Sequence, residues 1–208
     1  MAKQSRTHAV PVSPVRTRRA YFDCRYGQLH VRTAFPTTGG FDEGVTLFCL
    51  HSNSAASGAF SHFLPQIASD RSVYAPDLPG CGESDASPGK SIAEAAQAVA
   101  DLAADLRLRQ IDVLGFRLGA GVALQLATVR PDLVRRLVLI GAPPMEALPA
   151  ISQECLVFRV RLGVADDCQW TRGVLSKVKF IDVEEYSGDF FANLPSSLGA
   201  EIGAFLKR

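Results

Sequence analysis

Arg117 sits at the centre of Gly115–Phe116–Arg117–Leu118–Gly119. The run Ile111–Leu114 before it has the character of a buried strand, and Leu118–Thr128 after it that of a helix. The spacing therefore predicts a sharp strand–turn–helix that lifts the middle side chain to the C-terminal edge of a sheet. An arginine guanidinium is a permanent cation that only donates hydrogen bonds, so it cannot attack a carbonyl. It can pair with a buried carboxylate, or grip a carboxylate or phosphate ligand with two parallel hydrogen bonds. The helix N-terminus that begins at the same place favours the same anion.

Other groups could take part. His51 suits either a general base near neutral pH or a hydrogen-bonded loop histidine. Ser52, next to it, would crowd a site or supply a donor; Ser54 and Ser57 suit loop and helix-cap positions. Asp77, Glu83 and Asp85 lie in the Gly/Pro-rich stretch Pro76–Ala86 and suit turn and cap hydrogen bonds. Cys81 in that stretch fits a small apolar residue, or a nucleophile paired with His51.

Elements able to position these groups follow from periodicity. Tyr21–Tyr26 and Leu29–Phe35, joined at Gly27–Gln28, suggest an antiparallel hairpin. Val45–Leu50, Val73–Ala75, Ile111–Leu114, Leu137–Ile140, Leu156–Val160 and Val178–Val183 are apolar runs of strand length. Ser57–Ser69 has helical spacing interrupted by Pro65, which predicts a kinked or broken helix. Ser91 with Glu94 forms a capping box for a helix whose stripe runs through Ile92, Ala96, Val99, Leu102 and Leu106. Ser197–Leu206 forms a closing amphipathic helix. Strands alternating with helices predict an α/β class with a mostly parallel sheet covered on both faces.

Four stretches resemble the α/β-hydrolase family in the right order. Leu47–Phe48–Cys49–Leu50–His51–Ser52–Asn53 resembles its L-x-L-H-G strand and oxyanion loop. Tyr74–Ala75–Pro76–Asp77–Leu78–Pro79–Gly80–Cys81–Gly82–Glu83–Ser84–Asp85 resembles its A-P-D-x-x-G-x-G-x-S-D loop. Arg130–Gly141 resembles the end of its elbow helix and the next strand, and Gly115–Gly119 resembles its G-x-S-x-G nucleophile elbow. The resemblance implies the α/β-hydrolase fold, with Ser52, Asn53, Phe116 and Leu118 lining an oxyanion and ligand site. It places the triad acid at Asp166 or Asp167. The triad histidine falls in Glu185–Phe191, where the family's G-H-F is replaced by Gly188–Asp189–Phe190. Arg117 thus stands for serine and Asp189 for histidine, and the chain has no histidine after His62. Trp170 follows the acid position and suits a pocket wall or simple packing. Only Gly141–Cys155 connects the strands between which the family carries a cap, so the cap domain is expected to be missing. The pocket would be open or covered by a partner subunit such as a second copy in a homodimer.

The composition suits a single soluble domain: 208 residues, 47% hydrophobic, net charge +1. That balance gives no hint of nucleic acid, so no nucleic-acid partner is expected, and no stretch approaches the ~20 apolar residues of a membrane span. Met1–Ala20 carries Lys3, Arg6, Arg16, Arg18 and Arg19 without an acidic residue and is expected to be a basic flexible tail, with residues 21–208 forming the domain. Cys24, Cys49, Cys81, Cys155 and Cys168 have no C-x-x-C spacing, which suggests free thiols in a reducing cytoplasm. The histidines His8, His30, His51 and His62 do not cluster, so neither a metal nor another cofactor is expected.

Three functions remain open. One is a non-hydrolytic protein that binds a small organic acid or an acyl or carbonyl compound at Arg117. Another is an atypical hydrolase or lyase in which Arg117 polarises a carbonyl while His51 or Asp189 moves a proton. The third is a structural subunit of a homologous active hydrolase.

Overall fold

The computed structural model describes residues 15–37, 44–53, 55–141, 149–160, 173–183 and 190–207. Eight strands form one sheet: β1 (Val15–Cys24), β2 (Gly27–Pro36), β3 (Leu47–Leu50), β4 (Val73–Pro76), β5 (Ile111–Phe116), β6 (Val134–Ile140), β7 (Ile151–Val160) and β8 (Leu175–Val183). Their spatial order is β1-β2-β4-β3-β5-β6-β7-β8. β2 runs antiparallel to both its neighbours, and every pairing from β4 to β8 is parallel.

The wholly apolar runs become the central strands, because a strand covered on both faces has no polar side to present. β3 is buried along its whole length, and β6 nearly so. One core layer lies between the sheet and helices α2 (Ile92–Asp105) and α3 (Leu118–Val129); it includes Phe48, Val99, Leu102, Val113 and Leu124. A second layer on the opposite face packs Phe60, Phe63, Leu64 and Ile67 with Phe205 and Leu206 of α4 (Ser196–Lys207). Helices therefore cover both faces, as the alternation of elements predicts.

Local signals account for the helix ends. The Ser91 hydroxyl accepts a hydrogen bond from the Glu94 N–H, and the Glu94 carboxylate accepts one from the Ser91 N–H, both at 3.2 Å. This completes the expected capping box. The segment expected as a kinked or broken helix is broken: a 3-10 turn at Ser57–Phe60 is followed by the short helix α1 (Leu64–Ile67). Pro65 lies in the first turn of α1, where its missing N–H leaves no bond unmade.

Several strands run longer than expected, and the difference corrects the proposed tail. Residues 15–20 are the first half of β1, with Val15 opposite Pro36 and Arg19 opposite Arg32. Only residues 1–14 of the expected tail lie outside the described residues. Charged residues mask this strand because it is an edge, where charge is tolerated on an otherwise exposed ladder. β6 and β7 likewise begin before their apolar runs. Arg136 and Glu154, opposite each other at those starts, form an ion pair at 3.0 Å.

β6 and β7 are parallel neighbours joined by residues 141–150, of which 142–148 lie outside the described residues. Among the described residues, no helix is long and apolar enough to cross a membrane. Cys24, Cys49, Cys81 and Cys155 are free thiols, and Cys168 lies outside the described residues. Burial pushes the Cys155 thiol up to about 12.

Candidate active site

The turn between β5 and α3 has the strained geometry that the sequence suggests. Arg117 has φ 50° and ψ −111°, a region that side chains other than glycine rarely occupy. Its N–H donates to the Ile140 carbonyl at 2.9 Å, and its own carbonyl accepts from the Ala120 N–H at 2.9 Å. The two flanking glycines make the turn fit. A Cβ on Gly115 would overlap the backbone of Gly119 and Ala120, and one on Gly119 would overlap the carbonyls of Leu50 and His51. Gly119 thus brings the N-terminus of α3 directly against the end of β3 and the loop after it.

The strain at Arg117 makes a stability prediction. A glycine at this φ relieves strain that alanine retains, and both lose the same side chain. Arg117→Gly is expected to be about 1 kcal/mol more stable than Arg117→Ala in urea unfolding. An Ala variant at least as stable as the Gly variant would refute strain at the turn.

The Arg117 side chain is exposed and lies over the Phe116 ring, 5.6 Å from its centroid. No carboxylate pairs with it among the described residues. Phe116 stacks on Phe190 at 5.6 Å and meets Phe191 edge-on at 5.5 Å; Phe191 in turn packs on Phe60 and Phe63. The chain after β8 therefore returns to the elbow at Phe190. Asp189, expected beside Arg117, lies outside the described residues, as do Asp166, Asp167, Ser54 and Trp170. The aromatic floor under Arg117 is a feature that sequence reasoning missed. Its one signal was the Phe190–Phe191 pair following the expected histidine position.

His51 is fully buried, and both ring nitrogens engage backbone. Nε2 accepts from the Leu78 N–H at 2.8 Å, which leaves Nδ1 to carry the proton and donate it to the Ser52 carbonyl at 2.7 Å. The ring ties the end of β3 to the loop after β4 and has no lone pair left for a substrate. This geometry matches the loop-histidine reading. Burial holds its pKa below the ordinary value of 6.5, against the opposing pull of the Ser52 hydrogen bond and of Asp77.

The sign of the pH effect follows. The unfolded chain takes up a proton near pH 6.5 that the folded chain refuses, so the stabilisation is present above that value and is lost as pH falls below it. Unfolding free energy is expected to drop as pH falls from 7 to 5. The drop should shrink in His51→Gln. An unchanged slope in that variant would assign the effect elsewhere.

Around this ring, Ser52 is buried, Leu118 is half-buried and Asn53 is exposed. Asp77 organises the neighbouring loop. Its carboxylate accepts from the N–H groups of Ser57 (2.6 Å) and Glu83 (3.0 Å) and pairs with His30 Nδ1 at 2.8 Å. Burial alone would push this carboxyl up, but these donors hold it below the usual carboxylate range. Asp85 accepts from the Gln28 N–H at 2.8 Å. The loop carboxylates thus knit β2, β4 and the 3-10 turn together, in keeping with the turn-and-cap reading. The His30–Asp77 pair joins residues 47 apart, and spacing gave no signal for it. Burial raises the Cys81 thiol, which disfavours the reactive thiolate.

Comparison with known proteins agrees with this architecture. A family model for the alpha/beta hydrolase fold matches residues 45–160. Pyrrolizixenacetamide deacetylase of Xenorhabdus hominickii is 34% identical over 102 residues, covering 48% of this chain and 38% of that protein. 2-Hydroxymuconate semialdehyde hydrolase of Pseudomonas sp. (strain CF600) is 33% identical over 134 residues, covering 58% of this chain and 45% of that protein. The matched segment spans less than half the length of either relative. Among solved structures, a predicted CIB-like hydrolase from Thermoplasma acidophilum superposes with a TM-score of 0.81 at 17% identity, covering 93% of this chain and 99% of that one. The 2-hydroxy-6-oxo-6-phenylhexa-2,4-dienoate hydrolase from Rhodococcus sp. strain RHA1 gives 0.80 at 14% identity, covering 93% and 100%. By the match of its central segment to the family model, and by its strand order, the chain belongs to the alpha/beta hydrolase fold family.

Proposed function

We propose that this family member binds a small organic acid, or an acyl or carbonyl compound bearing a carboxylate, without serine-type hydrolysis. The observation that carries the reading is Arg117 itself. It occupies the centre of the elbow, is exposed, has no carboxylate partner among the described residues and stands at the N-terminus of the twelve-residue helix α3. A guanidinium and a helix N-terminus at one point favour an anion. Serine chemistry lacks its parts in this reading. Arg117 replaces the nucleophile and Asp189 replaces the histidine; no histidine follows His62, and His51 is committed to backbone. A relative named for acting on a muconate semialdehyde accords with a carboxylate-bearing ligand.

The short connection 141–150 supports a pocket without a cap domain. Such a pocket is wet, which weakens each ionic contact within it. Binding is therefore expected to be modest unless a second copy covers the opening. The free thiols of Cys24, Cys49, Cys81 and Cys155 accord with a cytoplasmic location.

The test measures hydrolysis of short-chain activated esters and lactones by wild-type protein and Arg117→Ala, with muconate and benzoate titrations by thermal shift. No turnover above buffer in either protein is expected, with a carboxylate-dependent rise in melting temperature that is lost in Arg117→Ala. Removing triad members leaves at most roughly 10³–10⁴-fold over water from the remaining site. Efficient turnover in both proteins would overturn the reading. Turnover that disappears with Arg117→Ala would move the assignment to an atypical hydrolase using carbonyl polarisation at Arg117.

A further inference from the structure

A second cationic site lies on the flank of the sheet, built by residues that the function above does not use. Thr17, Arg18, Arg19, Arg32, Ser61 and Leu64 line a cavity of about 300 Å³. Arg19 and Arg32 are directly opposite each other across the β1–β2 ladder, so their side chains leave the same face of the sheet. Like charges at opposed positions repel. No carboxylate offsets them among the described residues, where neither guanidinium enters an ion pair or a side-chain hydrogen bond.

Arg32 is the more telling of the two. Its Nε is buried and has no hydrogen-bond partner. Arg71 and Arg159 also have a buried nitrogen without a partner, but both are paired to carboxylates: Arg71 with Asp70 and Asp112, Arg159 with Asp182. Protection of an edge strand explains exposed charge on β1. It does not explain Arg32, which lies on β2, between β1 and β4, with its guanidinium over Gly58. The Ser61 hydroxyl already donates to the Gly58 carbonyl at 2.6 Å, so charge rather than hydroxyl donation would carry recognition.

We infer that Arg19 and Arg32, flanked by Arg18, form a binding site for the phosphate group of a small phosphomonoester. Two guanidinium groups without a neutralising carboxylate suit a dianion better than a carboxylate. Planar guanidinium donors match the oxygens of a phosphate. The cavity volume lies at the small end of ligand pockets, enough for a phosphate and a compact organic group.

The test is calorimetric titration of the full chain with inorganic phosphate and phenyl phosphate at constant ionic strength. It is run in an Arg117→Ala background so that the elbow contributes nothing. Saturable one-to-one binding is expected there, weakened at least tenfold by adding Arg32→Gln and likewise by adding Arg19→Gln. Arg19 lies on the exposed edge strand, so its variant reports even where Arg32→Gln fails to fold. Absence of saturable binding in the Arg117→Ala background, or an affinity unchanged by the second substitution, would overturn the site. Cosedimentation with phosphatidate-containing vesicles separates the sources of phosphate: binding to vesicles without binding to phenyl phosphate would overturn the small-molecule assignment.

Discussion

Asp112→Ala is expected to cost roughly 3–5 kcal/mol in urea unfolding, far more than the loss of one exposed ion pair. Asp112 is fully buried at the start of β5. It accepts two hydrogen bonds from Arg135, at 2.9 Å from Nε and 2.6 Å from Nη2, and lies 3.6 Å from Arg71 Nη1. Arg135 also donates to the Leu206 carbonyl, which ties α4 to the sheet. Arg71 is 1% exposed, and without Asp112 it keeps only the adjacent Asp70 as a carboxylate partner. A buried charge stripped of its partner carries a large desolvation penalty, whereas removing both partners costs much less. The double variant Asp112→Ala with Arg71→Met should therefore lose considerably less stability than the two single losses summed. Additive losses would show that the network is not coupled, and a loss below 1 kcal/mol for Asp112→Ala would show that the carboxylate is dispensable.

Gly119→Ala is expected to cost about 3 kcal/mol and to loosen the elbow at the same time. The added methyl group meets the Leu50 carbonyl, which is backbone in a buried strand and has no flexible end to move aside. Either α3 shifts outward or β3 bends, and both separate the α3 N-terminus from Ser52. Stability and carboxylate binding should fall together. Gly199→Ala provides the contrast: a Cβ there meets only the tips of Leu194 and Gln66, at 3.8 and 3.9 Å. Within helix α4 that change should be neutral or slightly stabilising, since alanine is the better helix former. Equal losses at both positions would trace the Gly119 effect to helix propensity rather than to close approach.

The sequence by itself determined the sheet, its order of elements and the elbow. Apolar runs of strand length have one good solution, burial on both faces. A capping box and a glycine-flanked turn are local devices whose partners lie within a few residues. The identity of the residue at the elbow was legible for the same reason.

The tertiary structure decided which charges are inside. Asp112 interrupts an apolar run, and Arg71, Arg135 and Arg136 look like surface residues until parallel pairing brings the starts of β5 and β6 beneath α4. It also decided the role of His51: both ring nitrogens are satisfied by backbone from two different loops, and no spacing encodes that closure. The arginines of residues 15–20 read as a solvated tail because a charged edge strand has no apolar face to announce it. Only pairing with β2 places Arg19 opposite Arg32 and turns a run of basic residues into a cavity wall. Local patterns fix elements because their energetics are local. Charge placement depends on contacts between residues tens of positions apart, and only the folded chain brings those together.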